Sequence, residues 1–189
     1  MTEPPKPEGQ PRPDAKRLQG SAYVDDDGSA DPALATALEG YDAGRTSYPE
    51  VLGALAGARL LVPVVAMLGE VETGPDGLAR DKSSDMAAVL LTGADGRLAL
   101  LAFTDLASLA AWDPQARPVP VAARLAAATA VQEGAHALVV DVAGPHRFVL
   151  AGEDLHRLAA GWRPVRLEDG EWGWLGAATD DSPGGEQLG

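Results

Sequence analysis

Arg97-Leu-Ala-Leu-Leu-Ala-Phe103-Thr104-Asp105-Leu-Ala-Ser-Leu-Ala-Ala-Trp112 passes from an apolar strand into a short helix with no loop between them. Phe103 closes the strand. Thr104 has a hydroxyl able to accept from the free amides of a helix start, so it reads as the cap. Asp105 then falls in the first turn, where the helix dipole favours negative charge. Leu106, Leu109 and Trp112 recur at helical spacing and predict one buried face. The segment holds no nucleophile beside a base and no ligand set, so it informs on fold more than on chemistry.

Outward from this joint the same alternation continues. Asp31-Pro32 is a cap followed by a proline at the first helical position, which predicts a helix over 32–40. Ser47-Tyr-Pro-Glu50 is a capping-box pattern and opens a second helix running to Ala58. Leu60 to Leu68 reads as a buried strand, with Pro63 pointing to an edge position or a strand end because proline cannot donate to a ladder. Thr-Gly-Pro-Asp-Gly at 73–77 is a turn signal. Met86–Leu91 and Leu98–Phe103 form a hairpin across Gly93-Ala-Asp-Gly96. Val119-Pro-Val121 is extended, and Ala122–Glu133 is an alanine-rich helix closed by Gly134. A second hairpin pairs Ala137–Val142 with Arg147–Ala151, and Gly152–Ala160 is the last helix. Two hairpins, an extra strand and interspersed helices predict an α+β single domain: helices packed on a mainly antiparallel sheet.

Residues 1–29 are rich in Pro, Gly and charge and are expected to be disordered. Residues 30–167 carry the periodic patterns. The segment 168–189 is Gly-rich and acidic, and is expected to be partly disordered. Trp172 and Trp174 interrupt it: they either fold back onto the domain as a short strand or mark a docking segment, and their large area to bury favours packing.

Composition bounds the function. With 189 residues and 46% hydrophobic content the chain is long enough for a real core, yet only 5% is aromatic. The formal charge of −13 repels nucleic acid, and no basic patch offsets it: Arg157, Arg163 and Arg166 stand among Glu153, Asp154, Glu168 and Asp169. Cysteine is absent, which removes disulfides, thiolate metal sites and cysteine nucleophiles, and suits a cytoplasmic location. The first residues have no apolar core of the signal-peptide type, and Leu60–Leu68 is too short to cross a bilayer. No membrane role is expected.

Three blocks carry a family resemblance. Leu60-Leu-Val-Pro63-Val resembles the apolar-Val-Pro strand of the SseB family. Leu100-Leu-Ala-Phe103-Thr104-Asp105, with Leu109 and Trp112, resembles its Phe-Thr-Ser strand-to-helix block ending in Trp. Ala137-Leu-Val-Val-Asp141 resembles the later strand that closes the N-terminal domain of that family. The likeness spans residues 30–160 and implies a fold rather than a reaction. Asp105 departs from it, standing where the family has a small polar residue such as Ser; the added charge discourages an anion at this helix start.

The catalytic motifs are missing: no nucleophile elbow, P-loop or dinucleotide glycine pattern occurs. His136, His146 and His156 fall on a strand start, a turn and a helix, with no carboxylate partner at ligand spacing, and read as separate imidazoles. Gly53-Ala-Leu-Ala-Gly57 permits close helix approach but is common in loosely composed chains. Asp25-Asp-Asp27 lacks calcium-loop spacing and reads as solvated linker. Glu153-Asp154 suits a helix start. No catalytic, cofactor-binding or metal-ligating residue and no cofactor are therefore expected.

Two functions are compatible with these observations. The favoured one is a non-enzymatic interaction or regulatory module that binds an unknown protein by its sheet face or by a groove at Phe103, Thr104, Asp105 and Trp112. The alternative is a binder of an amino acid or nucleotide, or a metabolic enzyme, with a pocket where strands meet helix starts at Thr104 and Gly152. The oligomeric state is not legible in the sequence.

Overall fold

Asp31 accepts from the amides of Ala33 (2.9 Å) and Leu34 (3.0 Å), and Pro32 follows it. This cap starts α1, Pro32–Asp42. The capping box opens α2, Tyr48–Gly57, where the Glu50 carboxylate accepts from both the amide and the hydroxyl of Ser47 (2.7 Å each). Both helices start where the cap chemistry places them. The computed structural model describes residue 23 and residues 25–67 and 85–176. The turn expected at 73–77, most of the segment expected to be disordered at the start and the end of the acidic tail lie outside the described residues.

The first strand, β1 (Arg59–Met67), is not at an edge. It lies between β2 (Asp85–Ala88) and β5 (Arg117–Ala122), antiparallel to both. Pro63 is tolerated there because of strand alternation. Leu61 exchanges both backbone bonds with Phe103 (2.8 Å each), on the side away from β5. Two residues on, Pro63 points its polar groups to that same side. Its missing N–H is not needed by β5, where it stands opposite Pro118. Its carbonyl accepts from Val89 (3.1 Å).

Val89 also splits the expected first arm of the hairpin. It divides β2 from β3 (Leu90–Thr92), and β3 pairs antiparallel with β4 (Leu98–Ala102). The Val89 amide bonds to β1 and its carbonyl accepts from Leu101 of β4 (3.3 Å). One extended segment is thus wedged between two strands, and it joins the three-stranded sheet to a four-stranded one of order β3-β4-β6-β7.

After β4 the chain makes α3 (Leu106–Trp112), β5 and α4 (Ala123–Gln132) before returning as β6 (Ala137–Val140). That long crossover lets β6 lie parallel to β4, the one parallel pairing in a sheet that is otherwise antiparallel. Then β7 (Phe148–Ala151) pairs antiparallel with β6 and leads into α5 (Gly152–Ala159). Among the described residues, five helices and nine strands make one α+β domain.

Side chains alternate across the sheet. Leu100, Ala102, Leu138, Val140, Phe148 and Leu150 point to the helices and form the main core with Leu34, Val51, Leu55, Leu155 and Leu158. Buried Ala123, Ala126, Ala127 and Ala130 keep α4 close to this layer. The opposite face carries a smaller cluster of Leu61, Leu101, Phe103, Leu109 and Val139.

The tryptophans of the tail do pack back. Trp172–Leu175 is β9, paired antiparallel with β8 (Arg163–Arg166). Trp174 lies against the main core with the Arg157 guanidinium over its ring, 5.8 Å from the centroid. Gly53 of α2 faces Pro164 of this hairpin, so the small residue serves a local contact.

Candidate functional site

The strand-to-helix joint is built differently from its sequence reading. Thr104 is not the cap of α3. Asp105 is, and its carboxylate accepts from the Ser108 amide (2.7 Å). The shift by one residue has a cause in Asp141, at the end of β6. Parallel pairing of β4 and β6 sets their ends side by side. The Thr104 amide donates to Asp141 Oδ1 (2.9 Å) and the Thr104 hydroxyl to Asp141 Oδ2 (2.7 Å). The Thr104 hydroxyl is held at the end of β6 by this bond, and it is the Asp105 carboxylate that accepts from an α3 amide.

Asp141 is 3% exposed. It is the only residue other than glycine with positive φ (52°) among the described residues, a conformation that Asp tolerates better than most. Its amide donates to Ala102 and its carbonyl accepts from Gly144 (3.0 Å each). A Cβ on Gly144 would sit 3.0 Å from that of Asp141, so glycine avoids a tight contact in this turn. Burial pushes the Asp141 carboxyl above the ordinary Asp range. The Thr104 hydrogen bonds and the Ser108 hydroxyl oppose the shift, while the nearby Asp105 charge adds to it.

A second contact reaches Thr104 from β1. Arg59 Nη1 donates to the Thr104 carbonyl (2.9 Å), and Nη2 donates to Asp26 (2.8 Å) and to the Ser29 carbonyl (2.7 Å). The Arg59 and Asp26 side chains are 11% and 12% exposed. Asp26 is therefore an ion-pair partner rather than solvated linker. Beside it the Leu106 amide donates to the Gly28 carbonyl (3.0 Å). Gly28 has φ 77°, and a Cβ there would collide with the Leu106 side chain. Leu106 is 46% exposed, so it borders the segment 26–29 and is not core, unlike Leu109.

Phe103, Thr104, Asp105 and Trp112 are thus together in space, and most of what they offer is used internally. Phe103 and Thr104 are buried. The Phe103 and Trp112 rings lie 5.5 Å apart, tilted by 30°. The amide, hydroxyl and carbonyl of Thr104 all have protein partners. Chemically this is a polar brace that ties β1, β4, β6, α3 and residues 26–29 together. It holds no nucleophile next to a general base.

Sequence reasoning missed Asp141, Arg59 and Asp26. A carboxylate inside an apolar run, two residues before Ala143-Gly144-Pro145, was the available signal for Asp141. Its partner depended on a parallel pairing that local patterns do not encode. Elsewhere, His146 Nδ1 lies 2.6 Å from Asp42 Oδ2 and ties the β6–β7 loop to α1. Tyr48 stacks on Phe148, and burial, then Asp154, pushes its phenol up to about 12. Among the described residues no three His, Asp or Glu side chains group as metal ligands, and no helix is long and apolar enough to cross a membrane.

The other feature is the sheet face away from α1, α2, α4 and α5. Register places Leu91, Ala99, Ala137 and Ala151 in one row across β3, β4, β6 and β7. Leu101, Val139 and Val149 form the adjacent row. The short helix α3 packs with Leu109 and Trp112 over Leu101, Phe103 and Val139. Ala99 and Ala137 pack half-buried against this cluster, whereas Leu91 is 42% and Val149 45% exposed and Ala151 is exposed. This row is apolar on every strand.

Braced at one end of its sheet, the molecule is an α+β domain in which no set of reacting groups is assembled among the described residues. Residues 33–157 match the family profile described as the SseB protein N-terminal domain, well over half of the chain. The chain belongs to the SseB family. No curated protein and no solved structure matches it.

Proposed function

We propose that this domain is a non-enzymatic protein-interaction module of the SseB type, acting in the cytoplasm. Its partner docks on the open sheet face beside α3. The observation that carries this reading is the row Leu91, Ala99, Ala137 and Ala151 with Val149 beside it: apolar on four adjacent strands, with Leu91, Ala151 and Val149 exposed. A contiguous apolar surface of this kind is what interaction sites present. The polar groups at the Thr104 joint have internal partners, which favours the sheet face over the joint as the place of binding. The charge of −13 supports a protein partner over nucleic acid.

The experiment is affinity capture from the native cell with the full chain and with a Leu91→Lys, Val149→Lys double variant. Both side chains are exposed, so the variant should keep its stability within about 1 kcal/mol. The reading predicts one stoichiometric partner with the unaltered chain and its loss with the variant. Equal recovery by both, or no partner with either, would contradict it.

A further inference from the structure

We infer that Arg59 anchors a peptide-recognition site that residues 26–29 of the same chain fill. A partner segment with an aspartate two residues before a glycine takes the site by displacing them. This site uses other residues than the sheet-face row and does not depend on it. Its contacts are those of a bound peptide. Asp26 meets the Arg59 guanidinium with both oxygens, Oδ2 on Nε (2.5 Å) and Oδ1 on Nη2 (2.8 Å). That is the two-pronged fit by which a guanidinium holds a carboxylate. The Ser29 carbonyl accepts from Nη2 (2.7 Å), and the Gly28 carbonyl accepts from the Leu106 amide (3.0 Å).

The receptor does not depend on its occupant. Arg59 Nη1 donates to the Thr104 carbonyl (2.9 Å), and Asp141 holds the Thr104 amide and hydroxyl. None of these bonds involves residues 26–29. When the segment leaves, the guanidinium keeps its anchor and turns Nε and Nη2 to the next carboxylate. Such preorganisation lowers the cost of binding.

The occupant is held by polar contacts. Asp26, Asp27, Gly28 and Ser29 have no apolar side chain, and none belongs to either hydrophobic cluster. Its shape is encoded locally. Asp26 Oδ1 accepts from the Gly28 amide (2.8 Å) and Asp27 Oδ1 from the Ser29 amide (2.9 Å). A short peptide of the same pattern can form the same turn. Gly28 is buried beside Leu106 at φ 77°, which sets glycine at that place in the ligand. A domain of charge −13 repels an acidic peptide, so only a specific contact such as the Arg59 fork can retain one.

The probe is an acetylated and amidated peptide of residues 25–31. It is titrated into the full chain carrying Asp26→Ala, with the Arg59 Nε–H and Leu106 amide signals followed by NMR. Saturable one-to-one binding that moves both signals is expected. The unaltered chain should bind at least about tenfold more weakly, because its tethered segment competes at an effective concentration of about millimolar. Asp26→Asn in the peptide, or Arg59→Met added to the chain, should abolish binding. Gly28→Ala in the peptide should weaken it about tenfold, while Asp27→Asn leaves it in place. Adding Leu91→Lys and Val149→Lys to the chain should change nothing, so the sheet-face reading can fail without this one. No binding by the Asp26→Ala chain overturns the proposal, as does binding that survives the loss of Arg59. An Asp26→Ala chain that does not fold overturns it too, since residues 26–29 are then part of the framework rather than its ligand.

Discussion

Asp141→Ala is expected to destabilise the domain by about 3–5 kcal/mol, while Asp141→Asn leaves it near its original stability. Alanine removes the acceptor of the Thr104 amide and hydroxyl, both buried. Each buried donor left without a partner costs about 1–3 kcal/mol. Alanine is also strained at positive φ, which adds about 1 kcal/mol. Asparagine tolerates that conformation. Its carbonyl accepts from the Thr104 amide, and its NH2 donates to the Thr104 hydroxyl once that hydroxyl turns to accept. The pH dependence separates the two replacements further. The Asp141 carboxyl is raised above its ordinary 3.8, so the folded state holds the proton more tightly than the unfolded one. The stability it contributes is full below the unfolded value and is lost as pH rises through the raised folded value. Urea unfolding from about pH 3 to pH 8 should show the original protein losing stability relative to Asp141→Asn over that window. The remaining carboxylates are common to both proteins, so the difference isolates this group. An Asp141→Ala protein within about 1 kcal/mol of the original would contradict the brace.

Arg59→Met should cost about 2–3 kcal/mol. It removes the donors of the Thr104 carbonyl, the Ser29 carbonyl and Asp26 together. Stranding one member of a buried ion pair costs about 3–5 kcal/mol when neither can reach water. Here residues 26–29 can swing outward and rehydrate Asp26, so the expected loss is smaller. The swing predicts a local signature. The Leu106 amide, bonded to the Gly28 carbonyl, should lose hydrogen-exchange protection, while amides between β4 and β6 retain theirs relative to global stability. Loss that is uniform across the domain would place Arg59 in the core rather than in a latch.

Local chemistry made much of the fold legible. Asp31-Pro32 and Ser47-Tyr-Pro-Glu50 announce α1 and α2 because caps act within one turn. The hairpins at 90–102 and 137–151 follow from apolar runs around turn residues. What remained hidden depends on contacts distant in sequence. Pro63 looked like an edge residue because its donor is missing, but whether a donor is needed depends on the side its neighbour occupies. Thr104 looked like a cap because its hydroxyl suits one; Asp141, 37 residues on, claims that hydroxyl. Leu106 matched the helical stripe, yet α3 is short and residues 26–29 lie along that side. Phe103, Thr104, Asp105 and Trp112, the candidate groove, are near one another in sequence and lie at one end of the sheet. The sequence did not reveal that they form the closed end of a sheet face. The open end consists of alanines, leucines and valines, which look in sequence like any other core-facing strand residues.

The central claim is that partners meet this domain on the face opposite its main helices. Photo-crosslinking in the native cell, with a photoreactive residue placed singly at position 91, at position 149 or at Glu39 on α1, tests it most directly. Glu39 is exposed on the helical side and serves as the control. The predicted result is one crosslinked partner common to positions 91 and 149 and absent at 39. Crosslinks to the same partner from position 39 alone, or from all three positions alike, would contradict the claim.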